Sequence, residues 1–290
     1  MFKGSIVAIV TPFKNGAVDE EKLRELVEFQ IAGGTDGIVP CGTTGEASTL
    51  DYEEHMDVVR IVVQQAGKRV PVIAGTGSNS TAEAIELTEK AKAVGADGVL
   101  LVTPYYNKPT QEGLFRHYMA IADAVAIPQI LYNVPGRTGV NMLPETVARL
   151  AVHKNIVAIK EATGSLQQAS EVLALCGDRI DVLSGDDFIT FPMMACGAKG
   201  VISVLANIMP KEVGDLTDAF YAGRLEEARQ LHLKLLKISN AMFIESNPIP
   251  VKTALGLMGR CSDQVRLPLC PMGEGNKAKL AAILKEYGLI

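Results

Sequence analysis

Lys160 closes the apolar run Ile156-Val157-Ala158-Ile159, and the chain then breaks into Glu161-Ala162-Thr163-Gly164. An apolar run of this length, bounded by Asn155 and Gly164, fits a strand buried on both faces. Lys160 would then stand at the carboxyl end of a core strand with its stem in apolar surroundings. Such a setting disfavours an ammonium, and a neutral amine attacks a ketone to form a Schiff base. The competing reading is a lysine that snorkels to solvent from a strand end, since most lysines are exposed. Two further side chains bear on the choice. Tyr132 ends the preceding apolar run, Gln129–Leu131. If consecutive strands pair, its phenol neighbours the amine and can shuttle protons as a carbinolamine forms and collapses; the alternative is a core tyrosine with a satisfied hydroxyl. Arg137 lies between Gly136 and Gly139 in a loop. A guanidinium there either grips a carboxylate through two parallel hydrogen bonds or is an ordinary surface arginine.

Other chemistries have less support. His55, His117, His153 and His232 fall in or just after expected helices, without ligand spacing, so no metal site is expected. Three of the four are expected on solvated helix faces. Cys41, Cys176, Cys196, Cys261 and Cys270 form no C-x-x-C pair, which suggests free thiols in a reducing compartment. The net charge of −5 and 21% charged residues attract neither nucleic acid nor an anionic membrane surface. No apolar run approaches the roughly 20 residues of a membrane span, and the N-terminal apolar segment is short for a signal peptide. A soluble, cytoplasmic protein is the expectation.

The elements that must position these groups repeat through the chain. Short apolar runs recur at Ser5–Val10, Gly37–Val39, Val70–Ala74, Gly98–Val102, Gln129–Leu131, Ile156–Ile159, Ile180–Leu183 and Gly200–Val204. Between them lie helical patterns near 19–32, 51–66, 80–94, 110–124, 144–152, 165–176, 188–196 and 210–222. Ser80-Thr81-Ala82-Glu83 reads as a capping box closed by Gly95, and Pro144 and Pro210 suit first turns. Strand–helix alternation with short connections calls for a parallel sheet. Eight units fit a closed (β/α)8 TIM barrel over 1–223, with a C-terminal helical appendage over 224–290. An open doubly wound sheet is disfavoured, because no G-x-G-x-x-G follows the first strand.

Active sites of such barrels lie at the carboxyl strand ends. Those ends here carry Thr11-Pro12, Cys41-Gly42-Thr43-Thr44-Gly45-Glu46, Gly75-Thr76-Gly77-Ser78, Thr103-Pro104-Tyr105-Tyr106-Asn107, Tyr132-Asn133-Val134-Pro135, Lys160-Glu161, Ser184-Gly185-Asp186-Asp187 and Ser203-Val204. Hydroxyls, tyrosines and single charges recur on one face. Barrels that bind phosphate do so after strands seven and eight; two acids there point to a substrate without phosphate.

Taken together, Gly42-Thr43-Thr44-Gly45-Glu46, Tyr132-Asn133-Val134-Pro135 and Ile159-Lys160-Glu161-Ala162-Thr163-Gly164 resemble the motifs of the pyruvate-dependent lysine aldolase superfamily. Gly4 to Pro12, Thr103-Pro104-Tyr105-Tyr106-Asn107 and Arg137 narrow the likeness to its dihydrodipicolinate synthase family, across essentially the whole chain. The resemblance implies condensation of pyruvate with L-aspartate 4-semialdehyde to 4-hydroxy-tetrahydrodipicolinate, in diaminopimelate and lysine synthesis. It implies a Schiff base on Lys160 and no cofactor. It implies a proton relay of Thr43, Tyr132 and Tyr106, with Tyr106 reaching a neighbouring subunit's site. Thr44 would orient pyruvate, Arg137 would hold the semialdehyde carboxylate, and Gly185 and Ile202 would line the pyruvate pocket. A homo-oligomer follows, at least a dimer and by family habit a dimer of dimers. The family also implies an inhibitory lysine site, matched here by Ser48, His55, Asn79, Glu83 and Tyr105; Tyr52 and Ala47 depart from the histidine and serine of inhibited relatives.

Three rivals remain. N-acetylneuraminate lyase or a keto-deoxy-sugar-acid aldolase would share the lysine, but needs hydroxyl-binding groups where Arg137 stands. A non-catalytic keto-acid binder would not need the Lys160, Tyr132 and Thr43 set. A pyridoxal phosphate enzyme would need a phosphate nest that the strand ends lack.

Overall fold

The computed structural model describes residues 1–290. Eight parallel strands form the sheet: β1 Gly4–Ala8, β2 Gly37–Val39, β3 Ile73–Gly75, β4 Gly98–Val102, β5 Gln129–Asn133, β6 Ile156–Glu161, β7 Asp181–Ser184 and β8 Gly200–Ser203. Each pairs with the next in sequence except β2 with β3, and β1 pairs with β8. A single parallel bridge, Ile38 to Val72, joins β2 to the segment leading into β3 and completes the ring. The alternation of side chains along each strand divides the core. Ile6, Ile73, Leu100, Ile130, Ala158, Leu183 and Ile202 point inward and pack as one cluster, filling the barrel. Their chain neighbours Val7, Val72, Val99, Leu131, Ile159 and Val201 point outward into the layer beneath the helices. Both faces of every strand are therefore apolar, as a sheet covered by helices requires.

The helical layer comprises α1 Glu20–Ala32, α2 Tyr52–Ala66, α3 Thr81–Ala93, α4 Gln111–Ala124, α5 Pro144–Leu150, α6 Leu166–Cys176, α7 Thr190–Cys196 and α8 Pro210–Tyr221. Beyond it lie α9 Leu225–Ala241, α10 Ile249–Leu257 and α11 Glu274–Glu286. The capping box expected at Ser80 is half formed. Glu83 N–H donates to the Ser80 hydroxyl, but the Glu83 carboxylate accepts from Ser78 instead. A complete box occurs at Asp51 and Glu54. Among the elements that escaped the sequence reading are a hairpin pairing Phe13–Lys14 with Ala17–Val18 and a single helical turn, Pro135–Thr138.

The C-terminal segment is tied to the barrel mouth through charge. Lys252 of α10 and Glu46 of the Gly-Thr-Thr-Gly-Glu turn form a fully buried ion pair at 2.6 Å. Lys252 also donates to the Thr11 carbonyl and lies over the Phe13 ring. Burial pushes the Lys252 pKa down, and the Glu46 carboxylate opposes it. Arg266 adds a bidentate pair with Glu54, and its own N–H donates to Glu46. Glu46 itself has a positive φ of 54°, as does Cys41. The turn between them is held in a conformation that ordinary side chains seldom adopt.

Candidate active site

Strand register brings the two principal groups together. Tyr132 on β5 is the direct partner of Lys160 on β6, and the Lys160 Nζ lies 4.3 Å from the centre of the Tyr132 ring. Lys160 is only 5% exposed, so it does not snorkel. Its surroundings are not wholly apolar, however. Asp186 shares its cavity, and its carboxyl feels the Lys160 charge. Burial pushes Asp186 up to about 6, with Lys160 pulling the other way.

Gly185 makes room for the lysine stem. A Cβ there would stand 2.5 Å from the Ala162 Cβ and 3.1 Å from the Lys160 Cε. Gly75 answers a similar need, because its Cβ would fall 2.0 Å from the Cys41 carbonyl oxygen. The Gly-Thr-Thr turn is thus pressed against β3.

Two adjoining cavities open at the carboxyl ends of the strands. The smaller, about 60 Å³, is lined by Thr43, Thr44, Tyr132, Arg137, Lys160, Gly185 and Asp186, with Phe243 and Asn247 from the C-terminal segment. The larger, about 480 Å³, has Thr43, Tyr132 and Arg137 in its wall and extends past Ser48, His55, Glu83 and Tyr105. Thr43, Tyr132 and Arg137 therefore stand between the two chambers. Ala47 and Tyr52 line the larger one.

Other expected residues fall elsewhere. Ile202 is wholly buried in the barrel-interior cluster and lines neither cavity. Asn79 lines neither; its side chain donates to the Tyr105 carbonyl. Tyr106 is 90% exposed, with φ 73°, and lines neither cavity. Arg137 sits in the helical turn Pro135–Thr138 rather than in a loop, and its Nη2 donates to the Asn247 carbonyl at 3.1 Å.

The two acids after β7 have separate environments. Asp187 is buried and accepts from Ser203 Oγ and from the N–H groups of Val204 and Leu205; burial pushes it up. Asp186 faces the cavity. Glu161, next to Lys160, points out of the barrel and accepts from Asn133 Nδ2 and Thr163 N.

The expectation that three of the four histidines lie on solvated helix faces is not met. His55, His117 and His232 are buried. A His55 ring nitrogen meets the Gly75 carbonyl at 2.7 Å, and His117 meets Thr81 Oγ1. Burial pushes His117 down to about 4. Their helices turn these faces toward neighbouring elements, which local periodicity does not resolve. No three His, Cys, Asp or Glu side chains converge as a metal-holding group.

Sequence reasoning missed Asn247, Phe243 and Lys252. Lys252 had a usable signal, being the one charge in the apolar stretch Ile249–Leu257.

The family profile described as "Dihydrodipicolinate synthetase family" matches residues 1–287. A 4-hydroxy-tetrahydrodipicolinate synthase of Geobacter sulfurreducens is 88% identical over 290 residues, covering all of both chains. That of Trichlorobacter lovleyi is 82% identical over the same span. Among solved structures, dihydrodipicolinate synthase from Aquifex aeolicus superposes with a TM-score of 0.98 at 52% identity, covering 99% of each chain. A chloride-inhibited dihydrodipicolinate synthase from Acinetobacter baumannii, solved with pyruvate, also gives 0.98 at 52% identity over 100% of both chains. With the profile spanning nearly every residue and these likenesses running end to end, the chain belongs to the dihydrodipicolinate synthetase family.

Proposed function

We propose that the chain condenses pyruvate with L-aspartate 4-semialdehyde to give 4-hydroxy-tetrahydrodipicolinate, using Lys160 as a Schiff-base lysine. The observation that carries this reading is the buried Lys160 amine beside the Tyr132 ring, in a cavity whose rim holds one exposed arginine. The Lys160 amine adds to the pyruvate ketone and water leaves, giving an imine. The imine loses a methyl proton and becomes an enamine. The enamine carbon bonds to the aldehyde carbon, and the aldehyde oxygen takes up a proton. The adduct's own amino group then attacks the imine carbon, displaces Lys160 and closes the ring. Carbon–nitrogen exchange returns the enzyme unchanged, and no step calls for a cofactor.

Tyr132 moves protons in carbinolamine formation and loss, and Thr43 stands beside it on the shared wall. Tyr106 completes this relay from a neighbouring subunit, so the working form is at least a dimer. Thr44 and Gly185 shape the pyruvate end, with Ile202 packing behind them. Arg137 holds the semialdehyde carboxylate. The family's role in lysine synthesis supports a cytoplasmic location for the enzyme. Its larger cavity, walled by Ser48, His55, Glu83 and Tyr105 with Asn79 close by, is the candidate site for L-lysine as inhibitor.

A coupled assay offering pyruvate with L-aspartate 4-semialdehyde, and separately N-acetylneuraminate alone, tests the assignment. Turnover with the semialdehyde is expected. Cleavage of N-acetylneuraminate without semialdehyde turnover would replace this reading with a sugar-acid aldolase. For the second cavity, titration with L-lysine should lower the initial rate; an unchanged rate at millimolar-scale lysine would remove that assignment.

A further inference from the structure

Arg137 makes one side-chain hydrogen bond, and it ends on Asn247. Thr44 also makes one through its hydroxyl, and it begins at Asn247: the carboxamide Nδ2 donates to Thr44 Oγ1 at 2.9 Å. Asn247 is itself buried and lies on the wall of the small cavity with Lys160. Its carboxamide oxygen has no partner. The Thr44 bond is therefore the only polar restraint on that side chain. One residue of the C-terminal segment thus holds both the group read as a carboxylate clamp and the hydroxyl read as a pyruvate ligand. Direction matters at Thr44. A hydroxyl that accepts from Asn247 keeps its own hydrogen free to donate to an anionic ligand.

We infer that Asn247 is the positioning residue of this site: its main-chain carbonyl fixes the Arg137 guanidinium, and its carboxamide fixes the polarity of the Thr44 hydroxyl. The inference rests on the proposed roles of Arg137 and Thr44. Arg137 is exposed, and an exposed guanidinium with no anchor samples many rotamers, which costs affinity when it must grip a carboxylate. The side chain of the same residue whose carbonyl meets Arg137 is tied to Thr44.

A double-mutant cycle on the full-length enzyme tests this. Asn247→Ala should raise the semialdehyde KM about tenfold, the scale of a hydrogen bond to a charged group, with kcat little changed. In an Arg137→Ala background the same change should add almost nothing, because the group it positions is gone. Multiplicative losses in the double variant would overturn the inference, since a general packing defect does not depend on Arg137. The isosteric Asn247→Asp supplies a second arm that survives poor folding of the alanine variant. A carboxylate can only accept from Thr44, so the hydroxyl hydrogen turns away from the cavity. Borohydride trapping with pyruvate should then need about tenfold more pyruvate for half-maximal rate. An unchanged pyruvate dependence would contradict the inference. This arm needs only pyruvate, so it judges Asn247 even if the semialdehyde proves to be the wrong second substrate.

Discussion

Tyr132 and Lys160 meet because parallel strands place register partners side by side, and that adjacency was readable from two strand ends in succession. The role proposed for the phenol is chemical rather than steric. Tyr132→Phe should lower turnover by about 10²–10⁴-fold, the usual contribution of a positioned proton shuttle. Its fold should be unchanged by circular dichroism. Equal activity of the phenylalanine variant would remove Tyr132 from the relay. Gly185 gives a sharper steric test. Gly185→Ala would drive a methyl against the Ala162 side chain and press on the Lys160 Cε, and imine formation with pyruvate should slow on the order of 10²-fold, as ångström-scale misplacement of a nucleophile does.

Asp186 was seen in the sequence only as an obstacle to phosphate; that its carboxyl faces Lys160 depends on the β7 turn and was not legible. Its pKa is raised from an unfolded value near 3.8 to about 6. A raised folded-state pKa means the folded protein holds the proton more tightly than the unfolded chain. The associated stability is present below about 3.8 and is lost as pH rises through about 6. Asp186→Asn cannot undergo that loss. Urea unfolding midpoints of variant and parent should therefore diverge between pH 4 and 6, with the variant gaining. A constant difference across that window would show that Asp186 is not perturbed in the folded state.

At the scale of elements, the eight strands and their helices were legible because both-face burial leaves apolar runs and because the Gly, Thr and Pro punctuation is strong. Edges moved by one to three residues, as at Ile73 and Asp181, where turn geometry rather than composition sets the end. The hairpin at Phe13 and the turn carrying Arg137 were missed because two- and four-residue elements have no period to detect. The buried Glu46–Lys252 pair was missed for another reason: its partners lie 206 residues apart, and neither shows its mate locally. Glu46 belongs to the motif turn, yet it points away from the site and into α10. Lys252→Met leaves a buried carboxylate without a countercharge and should cost about 3–5 kcal/mol in denaturant unfolding. Adding Glu46→Gln should recover most of that loss. If the single variant is as stable as the parent, the pair does not anchor the C-terminal segment.

For the whole molecule, the surface carries the information that one chain cannot. Tyr106 is almost fully exposed in a backbone conformation unfavourable for a tyrosine, and Tyr105 and Tyr52 are exposed beside the larger cavity. The service to a neighbour's site proposed for Tyr106 accounts for this placement. Mixing inactive Tyr106→Phe with inactive Lys160→Ala protein, after subunit exchange, should restore activity, because a mixed pair rebuilds one intact site. Absence of any recovery despite exchange would confine Tyr106 to its own chain. The sequence suggested an assembly only through resemblance, since exposure of a side chain is set by the fold and not by its neighbours in the chain.

The most direct measurement is reduction with borohydride in the presence of pyruvate, followed by peptide mapping by mass spectrometry. One pyruvate-derived adduct per chain, on the peptide containing Lys160, is the expected result, and Lys160→Ala should abolish it. An adduct on another lysine, or none at all in active enzyme, would contradict the assignment of the buried amine as the group that bonds to substrate.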